Sequence, residues 1–232
     1  LKGRILMTKN LKRFYDERAG VMPTYILNSI IDEKRFEGLK RELVEQKYLC
    51  YMGNMQLAKD NVDNIIKAFS MVSADYPDYQ LWLFGTPSSQ DRMIVEQAIR
   101  EHKLEEKVFI KGRVDFDKVP QILTNASLLV TSQPITKRAQ GGFPTKMAEY
   151  MMSGTPMLVT NVGEIYKYVQ NGVTAYMVEP CDPDAYSQKL RYILSHPAEA
   201  EQVAQRAYEY ATANFCSKPV TNKLIKFLTQ LN

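Results

Sequence analysis

Two histidines, His102 and His196, and three cysteines, Cys50, Cys181 and Cys216, are all that 232 residues offer toward imidazole or thiol chemistry. The cysteines are odd in number, far apart and without a CxxC pair, so neither a disulfide framework nor a zinc site is indicated. A reducing compartment is the expected setting. So few histidines leave a Ser-His-Asp triad without support. No apolar run approaches the roughly 20 residues that span a bilayer, and no signal-peptide layout is present. Charge is close to balanced, with 30 Lys+Arg against 26 Asp+Glu and a net +4. Such a small and dispersed excess makes nucleic acid an unexpected partner. The one locally basic stretch is Lys2, Arg4, Lys9, Lys12 and Arg13, read as a solvated or partner-facing surface with contact to anionic lipid as the other possibility. A dinucleotide enzyme would show GxGxxG after its first strand, and Tyr51-Met52-Gly53-Asn54-Met55-Gln56 does not supply it. Asp182-Pro183-Asp184 has the letters of a metal-binding acid pair but reads as a turn and helix cap, so no metal is expected.

What the chain does contain is alternation. Short apolar runs at 48–52, 81–84, 108–110, 128–131, 157–160 and 175–178 read as buried parallel strands. Between and after them, helical patterns cover 61–74, 91–102, 116–124, 145–152 and 164–169. This order predicts an α/β fold, a doubly wound parallel sheet with helices on both faces. From Pro183 onward the chain reads as helix, over 184–194, 197–214 and 218–231, giving a helical C-terminal tail. The first 45 residues hold two short apolar runs, a polar helix and a charged segment, too little for a domain by themselves.

The stretch 138–160, RAQGGFPTKMAEYMMSGTPMLVT, carries the most chemistry. A glycine-rich turn enters a helix with proline near its first turn, and such a helix start offers unpaired N–H groups and partial positive charge to an anion. Lys146 and Glu149 stand three positions apart, on one helical face, so a cation and a hydroxyl acceptor lie beside that anion site. A carboxylate in the apolar surroundings of Met147, Ala148, Tyr150, Met151 and Met152 is costly to bury without partners. A nucleoside diphosphate would use both groups.

From residue 22 to about 215, short segments stand in a fixed order: Met22-Pro23-Thr24-Tyr25-Ile26-Leu27-Asn28 with Arg35-Phe36, Tyr51-Met52-Gly53-Asn54 with Lys59-Asp60, Leu83-Phe84-Gly85, Val108-Phe109-Ile110-Lys111-Gly112, Gly142-Phe143-Pro144-Thr145-Lys146 through Glu149-Tyr150, and Gly154-Thr155-Pro156. Taken together they resemble the glycosyl transferases group 1, retaining enzymes of the GT-B fold that use nucleotide-sugar donors. The resemblance implies a Rossmann-like, C-terminal donor-binding domain. Residues 1–45 would then be a remnant of an N-terminal domain and the inter-domain linker, 46–214 the nucleotide-sugar-binding domain, and 215–232 a helix packing back on the domain or toward the missing N-terminal domain.

By that resemblance Lys59 contacts the donor diphosphate and Glu149 accepts hydrogen bonds from the ribose, the two residues assigned to catalysis. Main-chain N–H groups from Gly142, Phe143 and Pro144 to Thr145 would cap the diphosphate, backbone at Arg113 and Val114 would line the base, and Lys146 would point at phosphate or at solvent. Asn54 stands where the family often has an arginine, and Gly141 where it has a glutamate facing the donor sugar. Lys137, Arg138 or Gln140 are the substitutes nearest that position. The resemblance implies a nucleotide-sugar, UDP-sugar first, as substrate, with no cofactor or metal. It further implies retaining transfer of a hexose to a saccharide or lipid-linked saccharide in polysaccharide biosynthesis, in the cytoplasm or peripherally at the inner membrane face. An isolated fragment would be inactive. Asn54 and Gly141 keep a second reading open, a non-catalytic nucleotide-binding or interaction module on the same fold.

Overall fold

The N-terminal residues form a small β-α-β unit. In the computed structural model, which describes residues 1–231, β1 (Arg4–Leu6) is followed by α1 (Lys9–Ala19) and β2 (Thr24–Ile26), and the two strands pair in parallel with Ile5 opposite Tyr25. Thr8 caps α1, its hydroxyl oxygen accepting from the Leu11 N–H at 3.1 Å, as a residue with a short side-chain oxygen does at a helix start. A 3-10 turn, Glu33–Phe36, leads into the main sheet.

That sheet is built by β3 (Lys47–Met52), α2 (Leu57–Asp60), α3 (Val62–Ser70), β4 (Tyr79–Phe84), α4 (Ser89–Glu101), β5 (Val108–Gly112), α5 (Val119–Asn125), β6 (Leu128–Val130), α6 (Lys137–Gly141), α7 (Thr145–Met152), β7 (Met157–Thr160) and β8 (Tyr176–Val178), before α8 (Pro183–Ser195), α9 (Pro197–Asn214) and α10 (Ser217–Thr229). Its six strands run parallel in the order β5-β4-β3-β6-β7-β8. Strands buried on both faces must be apolar throughout. In β3, Leu49 and Tyr51 accordingly enter one core with Ile65, Phe69 and Tyr186, while Tyr48 and Cys50 enter the other with Met147, Met151 and Ala207. The chain winds outward in both directions from the β3–β6 pair, and the crevice at the carboxyl ends there is where such sheets hold ligands.

The doubly wound sheet and the helical C-terminal end agree with the sequence expectation, and 145–152, 157–160 and 197–214 fall at the predicted bounds. Three local expectations are corrected. The helix expected over 164–169 is one 3-10 turn, Ile165–Lys167, because Glu164 turns inward to serve another helix. The helix expected over 61–74 starts at Val62, since Asn61 is left-handed (φ 44°) and separates α2 from α3. The glycine turn is preceded by α6, capped by Thr136 through the Ala139 N–H at 3.0 Å, so Gly141 is helical.

α10 lies against the β1–β2 unit, with the rings of Tyr25 and Phe227 5.6 Å apart. Among the described residues no helix is long and apolar enough to cross a membrane.

Candidate functional site

The α7 helix separates two clefts. The first, about 280 Å³, is lined by Lys59 from α2, Gln133 and Thr136 after β6, Arg138 from α6, and Gly142 through Lys146. Three cations therefore line one concavity at a helix N-terminus, an arrangement that attracts a multiply charged anion.

Lys146 points neither out to solvent nor freely into the cleft. Its Nζ is 2.9 Å from the buried Asp60 Oδ1, donates to the Tyr51 hydroxyl at 3.3 Å, and lies 4.5 Å from the centre of that ring. Burial pushes the Lys146 pKa down from the ordinary lysine value, while Asp60 works against that fall. Burial likewise raises the Tyr51 phenol. A β-carbon on Gly53 would lie 2.5 Å from the Tyr51 hydroxyl and 2.6 Å from Lys146 Nζ, so glycine there makes room for the ammonium. Asp60 Oδ2 is buried without a partner among the described residues, which leaves the pair an unused acceptor.

Main-chain donors are fewer than the sequence suggests. The Gly142 N–H closes α6 on the Arg138 carbonyl (2.8 Å), the Phe143 N–H is 3.2 Å from Met7 Sδ, and Pro144 has none. The first-turn N–H groups of Thr145 and Lys146 have no intrahelical acceptor by geometry and are the donors left to an anion.

The second cleft, about 550 Å³, is lined by Ser29–Asp32 in sequence, Arg35, Phe116, Thr145, Glu149 and Ser217. Thr145 belongs to both clefts and joins them. Lys146 and Glu149, expected to act on one ligand group from one face, thus serve adjoining clefts. Glu149 is engaged by Arg35, with Nη1 to Oε1 at 2.7 Å. Arg35 also donates to the Phe116 carbonyl at 2.8 Å, and its guanidinium carbon lies 3.4 Å above the Phe116 ring. Arg113 and Val114, expected beside the base, line neither cleft: Arg113 is exposed beyond β5 and Val114 packs into the core. Asn54 is exposed and lines neither.

Arg35 and Phe116 were not assigned roles from the sequence, nor was Asp60. Arg35 and Glu149 are 114 positions apart, and no local pattern announces such a pair. Glu164 is buried and accepts from the Lys9 and Asn10 N–H groups of α1 at 2.9 and 3.0 Å and from Lys167 Nζ at 2.5 Å. The Thr8 hydroxyl donates to the Gly141 carbonyl at 2.6 Å and Asn10 Nδ2 to the Gln140 carbonyl at 2.9 Å, so the C-terminal end of α6 rests on the N-terminal unit.

Comparison with known proteins gives the arrangement a context. The model of the family described as Glycosyl transferases group 1 matches residues 31–210. The glycogen synthase of Mycobacterium tuberculosis (strain CDC 1551 / Oshkosh) is 24% identical over 197 residues, covering 84% of this chain and 46% of that protein. The N-acetyl-alpha-D-glucosaminyl L-malate synthase of Bacillus anthracis is 22% identical over 210 residues, covering 90% of this chain and 50% of that protein. The chain thus spans about half the length of these relatives. Among solved structures, sucrose-phosphate synthase from Thermosynechococcus elongatus superposes with a TM-score of 0.82 at 21% identity, covering 99% of this chain and 58% of that one. The Anabaena protein HepE in complex with UDP-glucose superposes with a TM-score of 0.82 at 16% identity, covering 97% and 63%. At these identities the likeness shows the fold.

Proposed function

This chain belongs to the glycosyl transferases group 1 family, and on that premise we propose that it forms the donor half of a retaining glycosyltransferase, binding a nucleotide-diphospho-sugar. The observation that carries the reading is the joining, through Thr145, of a cleft lined by Lys59, Arg138 and Lys146 to a second cleft that displays the Glu149 carboxylate. A diphosphate suits the first and a ribose diol the second. Developing charge on a leaving diphosphate is stabilised by cations and helix N–H groups already in place. This needs no metal ion.

UDP is the nucleotide proposed for the donor, a hexose the transferred sugar, and a saccharide or lipid-linked saccharide the acceptor, as in polysaccharide assembly at the inner membrane face. Transfer in the whole protein would use a second domain across the clefts, continuous with the β1–β2 unit. Two solved relatives of the fold were crystallised with UDP and a sugar, which supports UDP as the first ligand to try. The alternative, a nucleotide-binding module without turnover, is favoured by Gly141, where no carboxylate faces the sugar position.

The test is calorimetric titration of the chain with UDP, UDP-glucose, GDP and ADP, repeated with Glu149→Ala and Lys59→Ala. Expected are binding of UDP and weakening in both variants. Absence of binding to every nucleotide, or UDP binding indifferent to both substitutions, would defeat the reading. Equal affinity for UDP and UDP-glucose, with no transfer once the other domain is present, would favour the module.

A further inference from the structure

We propose that Arg35 is a positioning residue for the donor ribose, holding the Glu149 carboxylate in place and aimed at the sugar hydroxyls; this rests on the donor-site reading above. Glu149 is the one carboxylate on α7, and its side chain is 31% exposed, enough to meet a ligand. A carboxylate on a flexible side chain loses rotational freedom when it binds a diol, and a partner that has already fixed it removes part of that cost.

Arg35 has the geometry for this task. Its side chain is only 13% exposed, and it is fixed from three directions: by Glu149 Oε1, by the Phe116 carbonyl, and by the flat contact with the Phe116 ring. A planar guanidinium does this better than an ammonium, because its fork and its face act at once. Only Oε1 of Glu149 is taken by Arg35, which leaves Oε2 available to accept from a ligand hydroxyl.

One detail separates a ligand site from a simple staple between the linker and α7. Arg35 Nε is buried and has no acceptor among the described residues. Buried N–H donors are nearly always paired. An arginine placed only to pin the chain would be expected to use all its donors on protein, whereas this one keeps a donor in hand beside a cleft that Arg35 itself lines. An incoming nucleotide can supply the missing acceptor from its ribose or base oxygen atoms. The arrangement ties the segment 29–35 to the place where the ribose is read.

The experiment titrates the whole chain and the variants Arg35→Ala, Arg35→Lys and Glu149→Ala, together with Arg35→Ala/Glu149→Ala, with UDP and separately with inorganic pyrophosphate. Thermal melting of each variant is recorded alongside. Expected is a loss of UDP affinity of about tenfold in Arg35→Ala, partial recovery in Arg35→Lys, unchanged pyrophosphate affinity, and, when Arg35→Ala is added to Glu149→Ala, a further loss well below the about tenfold seen with Glu149 present. A purely structural arginine would weaken both ligands alike and add its loss to that of Glu149→Ala. That outcome, or UDP affinity unchanged or increased in Arg35→Ala, overturns the proposal while leaving the donor site standing. Should Arg35→Ala fail to fold, the comparison of UDP with pyrophosphate in Arg35→Lys decides in the same way. If the wild-type chain binds neither UDP nor pyrophosphate, the donor-site reading fails and this inference falls with it.

Discussion

Asp60 and Lys146 form an ion pair at 2.9 Å between α2 and α7, with Asp60 fully buried and the lysine side chain 15% exposed. It is the one ion pair bordering the cation-lined cleft, among the described residues, that joins the two winding directions of the sheet. The pair keeps an ammonium beside the proposed diphosphate position at the expense of neutralising part of its charge.

Breaking that pair on the acid side should destabilise the fold. Asp60→Asn is expected to lose about 2 kcal/mol in urea denaturation, since a buried cation is left without its counter-ion. Asp60→Asn/Lys146→Met should recover part of the loss. If the double variant loses, relative to wild type, the sum of what Asp60→Asn and Lys146→Met lose separately, the two residues are not coupled.

The same pair predicts a pH dependence. Burial holds the Lys146 pKa below that of an unfolded lysine, so the unfolded chain binds more protons in the interval between the two values. Stability contributed by this site therefore rises as pH climbs through the folded value toward the ordinary lysine range. A bound diphosphate favours the charged form, so UDP binding should take up protons on the alkaline side and weaken as pH passes the value of the free chain. Calorimetry in buffers of different ionisation heat measures the uptake. Proton release on binding would contradict the assignment.

Gly53→Ala tests the room left for the ammonium. The added carbon meets Lys146 Nζ and the Tyr51 hydroxyl, both at the tips of side chains, so the fold should survive with a modest loss of stability. Pyrophosphate affinity should fall, because Lys146 must leave its place. Unchanged affinity would remove Lys146 from the anion site.

Glu164→Gln tests the joint between the N-terminal unit and the sheet. The carboxylate accepts two α1 N–H groups and meets Lys167, a favourable placement at a helix N-terminus. The amide is expected to cost about 1 to 2 kcal/mol and to speed hydrogen exchange across α1 (Lys9–Ala19). Exchange confined to its wild-type rate would show that packing alone holds α1.

Local order along the chain determined a great deal by itself. The alternation of apolar runs with helical patterns, and the glycine turn before Thr145–Met152, specify the layered sheet and where its ligand crevice opens, because burial period and turn chemistry are local properties. Lys59 and Glu149 stood out for the same reason, each in a segment with a recognisable motif. Only the tertiary structure decided which groups meet. It turned Lys146 onto Asp60, brought Arg35 onto Glu149 and Phe116, used the Gly142 and Phe143 amides elsewhere, and sent Glu164 to α1 rather than to a helix of its own. Apart from the Gly142 bond to Arg138 within α6, these are contacts across 81 to 155 positions, such as the 86 between Asp60 and Lys146 and the 155 between Lys9 and Glu164, set by how packed layers bring distant loops together. Nothing in the spacing of neighbours along the chain encodes them.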